Sequence, residues 1–243
     1  AACPVVINDE SDTWSHDVFK FDDEIGRFEA EKINLVEDGP VKSVLRVESK
    51  YMNSTLIQDF TMYSDLDEIE VSVKVNWQEQ LKMLKLQFPV NLNSRRATYE
   101  IPYGHKERET TGEEEPGQSW LDITGIMSNR NEVYGLSLIN DAKYSYDVLN
   151  ETMSLTVLRS PVYAHHNPAK LKNDESYSYI DQGIQEFTYT LLPHRGSWED
   201  GNTIKKAREL NQRPISLIET YHDGELPQSN SYVDINKDNI IIT

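Results

Sequence analysis

The chain has almost no cysteine: Cys3 is the single one in 243 residues. That excludes a disulfide framework and a thiolate metal cluster, and it fits a reducing compartment. It is also short of positive charge, with 24 Lys+Arg against 41 Asp+Glu and a net charge of −17. A nucleic-acid partner or an anionic membrane surface needs a positive field, so neither is expected. Long apolar runs are missing too. Stretches such as Ile240-Ile241-Ile242 fall far short of the ~20 residues of a membrane-spanning helix. No glycine-rich phosphate loop, dinucleotide fingerprint or G-x-S-x-G elbow occurs.

What is present is period-2 alternation. Val41, Ser43, Leu45 and Val47 share one strand face behind the Gly39-Pro40 turn, with Lys42, Arg46 and Glu48 on the other. Ile69, Val71, Val73 and Val75 alternate with Glu70, Ser72, Lys74 and Asn76, and Leu84, Leu86, Phe88 and Val90 with Lys85, Gln87, Pro89 and Asn91. Leu136 and Leu138, then Met153, Leu155 and Val157, then Phe187, Tyr189 and Leu191 repeat the pattern. Half-buried antiparallel strands in such number predict an all-β fold, a large antiparallel β-sandwich, as a single domain over 1–243. One helix is expected over 202–212, from the spacing of Ile204, Ala207 and Leu210 and the stop at Arg213-Pro214. Segments 107–117 and 164–179 are expected to be long exposed loops, the kind that carry function.

Residue chemistry alone names no reaction. Paired carboxylates for glycosidic cleavage have candidates in Glu113-Glu114-Glu115, Asp122, Asp141, Asp147 and Asp181, but 41 acids make pairs inevitable. The Glu113–115 run reads as a solvated charge run. His165-His166 lacks ligand spacing, and adjacent residues of an extended segment point opposite ways, so no metal is expected there. His105 and His194 read as structural histidines. Arg159, at a strand end before a long loop, is suited either to fork onto hydroxyls or a carboxylate of a ligand, or to pair a neighbouring acid.

The order of blocks says more than any one of them. Asp12-Thr13-Trp14-Ser15-His16, Glu37-Asp38-Gly39-Pro40-Val41, Leu84-Lys85-Leu86-Gln87-Phe88-Pro89-Val90 and Ile101-Pro102-Tyr103-Gly104 come first. Ser119-Trp120-Leu121-Asp122, Tyr134-Gly135-Leu136-Ser137-Leu138-Ile139-Asn140-Asp141 and Lys143-Tyr144-Ser145-Tyr146-Asp147-Val148 follow. Leu155-Thr156-Val157-Leu158-Arg159-Ser160-Pro161 and Phe187-Thr188-Tyr189-Thr190-Leu191-Leu192-Pro193-His194 close the series. Together, over about residues 5–200, they resemble the carboxy-terminal β region of glycoside hydrolase family 38, the retaining α-mannosidases. Ser145 stands where that family usually has Gly, and Gln185 where a His precedes the FTY block. Ala164-His165-His166-Asn167-Pro168 replaces its Pro-Asp-Pro.

The resemblance implies a supersandwich like that of galactose mutarotase, non-catalytic by itself, packed on an amino-terminal catalytic domain that supplies the nucleophile, the acid/base carboxylate and zinc. It implies no catalytic residue, no cofactor and no metal ligand in this chain. Arg159, from the LRSP block, and Asp181 and Gln182, from the DQG block, become the residues expected to border the α-mannoside pocket. The strand-like run 239–243, with no turn after it, adds the expectation of an excised piece of a longer protein, prone to self-association. Ala1-Ala2-Cys3-Pro4-Val5-Val6-Ile7 has no basic n-region, which with the single cysteine gives an expected cytoplasmic setting. Two rival readings stay open. An autonomous carbohydrate-binding module needs exposed aromatics, for which Trp120 and Trp198 are candidates. An aldose 1-epimerase needs a Glu base and a His acid, for which Glu186, His105 and His194 supply the residue types.

Overall fold

A computed structural model of the chain describes residues 2–127, 130–237 and 240–241. In chain order the first strands are β1 (Cys3–Asn8), β2 (Glu24–Arg27), β3 (Glu29–Asp38), β4 (Lys42–Tyr51), β5 (Ser54–Tyr63) and β6 (Ile69–Trp77). Next come β7 (Lys82–Pro89), β8 (Leu92–Asn93), β9 (Arg96–Ile101), β10 (Gly104–Glu109) and β11 (Glu115–Pro116). β12 (Trp120–Met127), β13 (Val133–Asn140), β14 (Ser145–Leu149), β15 (Thr152–Arg159) and β16 (Gly183–Arg195) precede helix α1 (Thr203–Asn211). Six strands form one sheet in the order β11-β14-β15-β7-β1-β2. Ten form the other, in the order β10-β9-β12-β13-β16-β6-β5-β4-β3 with β8 on β12. Each strand pair is antiparallel, and the architecture is the expected sandwich.

Alternation decides which side chains meet between the sheets. Val71, Val73, Val75 and Trp77 of β6 face Leu84, Leu86 and Phe88 of β7, with Leu155, Val157, Tyr99, Leu121 and Tyr189 in the same core. At about 25 cal/mol per Å², burial of these side chains is the main stabilising term. The larger sheet runs past the smaller one. Along the inner row Val71, Phe60, Leu45, Leu35, burial falls from complete at Val71 to 59% exposed at Leu35.

One strand reading needed a second layer that alternation does not reveal. The Lys85 face was expected to be wet. Instead Phe21 and Val18, from the segment after β1, cover Val5, Ile7 and Met83 on the outer face of the smaller sheet. Lys85 is sealed beneath them, its ammonium 2.6 Å from both Glu114 and Asp147. Burial by itself lowers the lysine's pKa, but the two carboxylates outweigh it and raise the value. Glu114 also accepts from Ser145 and Thr156, so the 113–115 run is not simply solvated. The segment 107–117 is not one loop either. Glu107, Arg108 and Glu109 extend β10, an edge strand whose charges suit an open edge, and Glu115-Pro116 pairs with β14.

The helix falls within the expected span, and Ala207 and Leu210 pack with Trp120, Ile139 and Leu192 on the outer face of the larger sheet. Residues Gln212–Thr243 form a separate unit without helix or strand among its described residues. The strand read over 239–243 falls on residues 239, 242 and 243, outside the described residues. No helix of the described residues is long and apolar enough to cross a membrane.

Candidate functional site

The β7 register fixes where two distant segments meet. Asn8, the last residue of β1, pairs with Lys82, and Arg159, the last of β15, pairs with Met83. Both strands therefore end beside the start of β7, and the segments 9–23 and 160–182 leave the sheet side by side. Arg159 ties them together. Its Nε and Nη2 donate to Asp9 Oδ2 and Oδ1 at 2.8 and 3.1 Å, and Nη2 also reaches Ser11 Oγ at 2.6 Å and the Asp12 carbonyl at 3.2 Å. The Phe21 ring lies 4.8 Å from the guanidinium carbon. Asp9 is fully buried, and the fork pairs both of its carboxylate oxygens.

Asp12 shapes the turn that follows. Its short side chain accepts the amides of Trp14 and His16, each at 3.0 Å, in the manner that makes Asp a turn residue. Its other oxygen takes the Asn167 amide at 2.9 Å and lies 2.6 Å from His16 Nδ1. Burial alone pushes this carboxyl up. The Asn167 amide and the His16 ring and amide more than offset that, and hold Asp12 well below the usual carboxylate range. Thr13 completes the lacing, donating its amide to the His165 carbonyl at 3.1 Å and its hydroxyl to the Val162 carbonyl at 2.7 Å.

The result is a fixed platform with an open top. Trp14 is 57% exposed, with the His166 ring 5.7 Å and the His16 ring 6.3 Å away. The two imidazoles are 4.7 Å apart. One donor atom each from Asp12, His16 and His166 lies within 4.8 Å of the others.

The three residues expected to border a pocket, Arg159, Asp181 and Gln182, lie together at this end. The Asp181 carboxylate accepts the Arg159 amide at 3.3 Å, and Gln182 Nε2 donates to the Glu79 carbonyl at 2.8 Å. Among the other candidates, Glu114 and Asp147 come together on the Lys85 ammonium, and the rest stay apart. Asp122 is bonded to His194, Asp147 to Lys85, and Asp141 to the Thr188 amide, so none is a free carboxylate facing a second one. Glu186 pairs with Lys74, His105 packs on Trp198, and no hydrogen bond joins Glu186, His105 and His194 among the described residues. Trp120 is buried in the core under α1, and the partly buried Trp198 packs against that core. The exposed tryptophan is Trp14, which residue chemistry alone did not single out; its signal was its place in the Asp12–His16 block.

Comparison with known proteins gives one consistent result. The model for the C-terminal domain of glycosyl hydrolases family 38 matches residues 6–168. Alpha-mannosidase G of Dictyostelium discoideum is 29% identical over 250 residues, 95% of this chain and 21% of that protein. Alpha-mannosidase 2C1 of Homo sapiens is 33% identical over 173 residues, 68% of this chain and 15% of that protein. The chain thus spans well under two thirds of these relatives. An alpha-mannosidase structure from Enterococcus faecalis V583 superposes with a TM-score of 0.73 at 15% identity, covering 93% of this chain and 29% of that one. At that identity the likeness speaks for the fold.

Proposed function

The chain belongs to the C-terminal domains of glycosyl hydrolases family 38, and from that premise we propose that it is the non-catalytic sandwich of a retaining α-mannosidase acting on terminal α-D-mannosides. Its partners are then an amino-terminal catalytic domain, which carries the nucleophilic carboxylate and zinc, and the mannoside itself. The observation that carries the reading is the laced end of the sandwich. An exposed Trp14 stands over polar side chains on two segments that Arg159, Asp9 and Asp12 hold in one geometry. An aromatic face with a few fixed polar groups is what a sugar pocket needs at its border.

On this reading Arg159 is a positioning residue, with Asp181 and Gln182 holding the opposite segment. The overhanging inner face at Leu35 and Leu45 supports docking onto the rest of a longer protein, since an exposed apolar row favours burial. Nothing in the site favours the epimerase reading.

The test is assay of the 243-residue chain beside the complete enzyme. The chain alone is expected to show no turnover of nitrophenyl α-mannoside and no saturable binding of methyl α-mannoside, while the complete enzyme shows both. Turnover that purifies with the chain would overturn the non-catalytic assignment. Tight mannoside binding by the chain alone would replace it with an autonomous binding module.

A further inference from the structure

We propose that Asp12, His16 and His166 form a site for a borderline-soft divalent metal ion, Zn²⁺ foremost, that clasps the segments 9–23 and 160–182 together. The donor set is two imidazoles and one carboxylate. That set suits zinc with a fourth position open, whereas calcium and magnesium favour all-oxygen shells. It lies wholly within this chain and does not depend on the α-mannosidase reading.

The distances allow it. Ligand atoms around tetrahedral zinc stand about 3.3 Å apart, given bonds of about 2.0–2.1 Å. The donors here already lie within 4.8 Å of one another, with Asp12 Oδ2 and His16 Nδ1 at 2.6 Å. The metal would take the place of the proton those two atoms share, so they part slightly while His166 draws in. Both imidazoles are exposed and have room to move. Asp12 does not need to move. The amides of Trp14, His16 and Asn167 already orient its carboxylate, the support that metal-binding carboxylates require.

Sequence spacing conceals the site because it lies across two segments. Of the adjacent His165 and His166, His166 joins the cluster. Its partners come from the far end of the chain, where Asp12 and His16 stand four residues apart in one turn.

The test uses the untagged, metal-stripped chain titrated with Co²⁺ as a visible probe and then with Zn²⁺. The expected result is one equivalent of cobalt with intense tetrahedral absorption bands, displaced by zinc, and a melting temperature raised by several degrees in zinc. His166→Ala is expected to remove the bands and the zinc-induced shift while leaving the metal-free melting temperature unchanged. His165→Ala is expected to retain both effects. Absence of saturable binding would overturn the proposal. So would one-to-one binding that survives His166→Ala, which would put the metal on other histidines.

Discussion

Among the described residues two aspartate–histidine pairs stand in this sandwich, and solvent access separates them. Asp122 Oδ2 lies 2.8 Å from His194 Nε2, and both side chains are buried. Asp12 Oδ2 lies 2.6 Å from His16 Nδ1, with the acid buried and the imidazole open. The sealed pair has a hydroxyl nearby, which invites a nucleophilic reading, but its geometry is wrong for one. Ser137 Oγ donates to Asp122 at 2.7 Å and sits 3.3 Å from the same His194 nitrogen that the aspartate uses. A base relay needs the two on opposite ring nitrogens.

The sealed pair is a knot in the fold. Asp122 also takes the Thr124 hydroxyl, and Ser137 lies 2.6 Å from Thr203 Oγ1 at the start of α1. Gly135 and Gly201 wall the ring in, and a Cβ at either would run into it. The open pair has an exposed Trp and a second imidazole beside it instead. The same two side chains join layers where water is excluded and offer a surface where it is not.

The comparison can be broken first at the sealed pair. Asp122→Ala leaves Thr124, Ser137 and His194 without their shared acceptor, a loss of about 3 kcal/mol for buried groups. For a domain of this size that corresponds to a fall of roughly 6–12 °C in melting temperature. An unchanged melting temperature would show that the knot holds nothing.

Arg159→Lys sharpens the comparison on the open side. A lysine cannot reproduce the fork onto buried Asp9, so a cost of ~1.5–3 kcal/mol is expected in stability. Because the fork also fixes the turn carrying Trp14, kcat/KM of the complete enzyme is expected to fall about tenfold, equivalent to ~1.4 kcal/mol. A lower melting temperature with wild-type kinetics would confine Arg159 to holding the fold.

The fold was legible where alternation is its own cause. The Val71–Val75 and Leu84–Phe88 patterns mark core faces because one side of each strand meets the other sheet. The pattern misled at Lys85, where a polar residue on the outer face looks the same whether water or Phe21 and a pair of carboxylates cover it. It misled again at Glu107 to Glu109, because an edge strand with a wet face reads like a loop. Of the residues expected at the site, Arg159 stood out by its place at a strand end before a long loop, and Asp181 and Gln182 only through ordered family blocks. That Trp14 and His16 meet His166 was not legible, since a separation of about 150 residues is closed only by the β7 register.

The most direct test of the account is Trp14→Ala in the complete enzyme. The ring is 57% exposed and contributes nothing to the core clusters. Its loss is therefore expected to leave the melting temperature within about 1 °C, as for ordinary surface changes. If the laced end borders the mannoside pocket, kcat/KM falls about tenfold, the scale of one lost aromatic contact. Wild-type kcat/KM at an unchanged melting temperature would contradict the account and move the pocket away from this end of the sandwich.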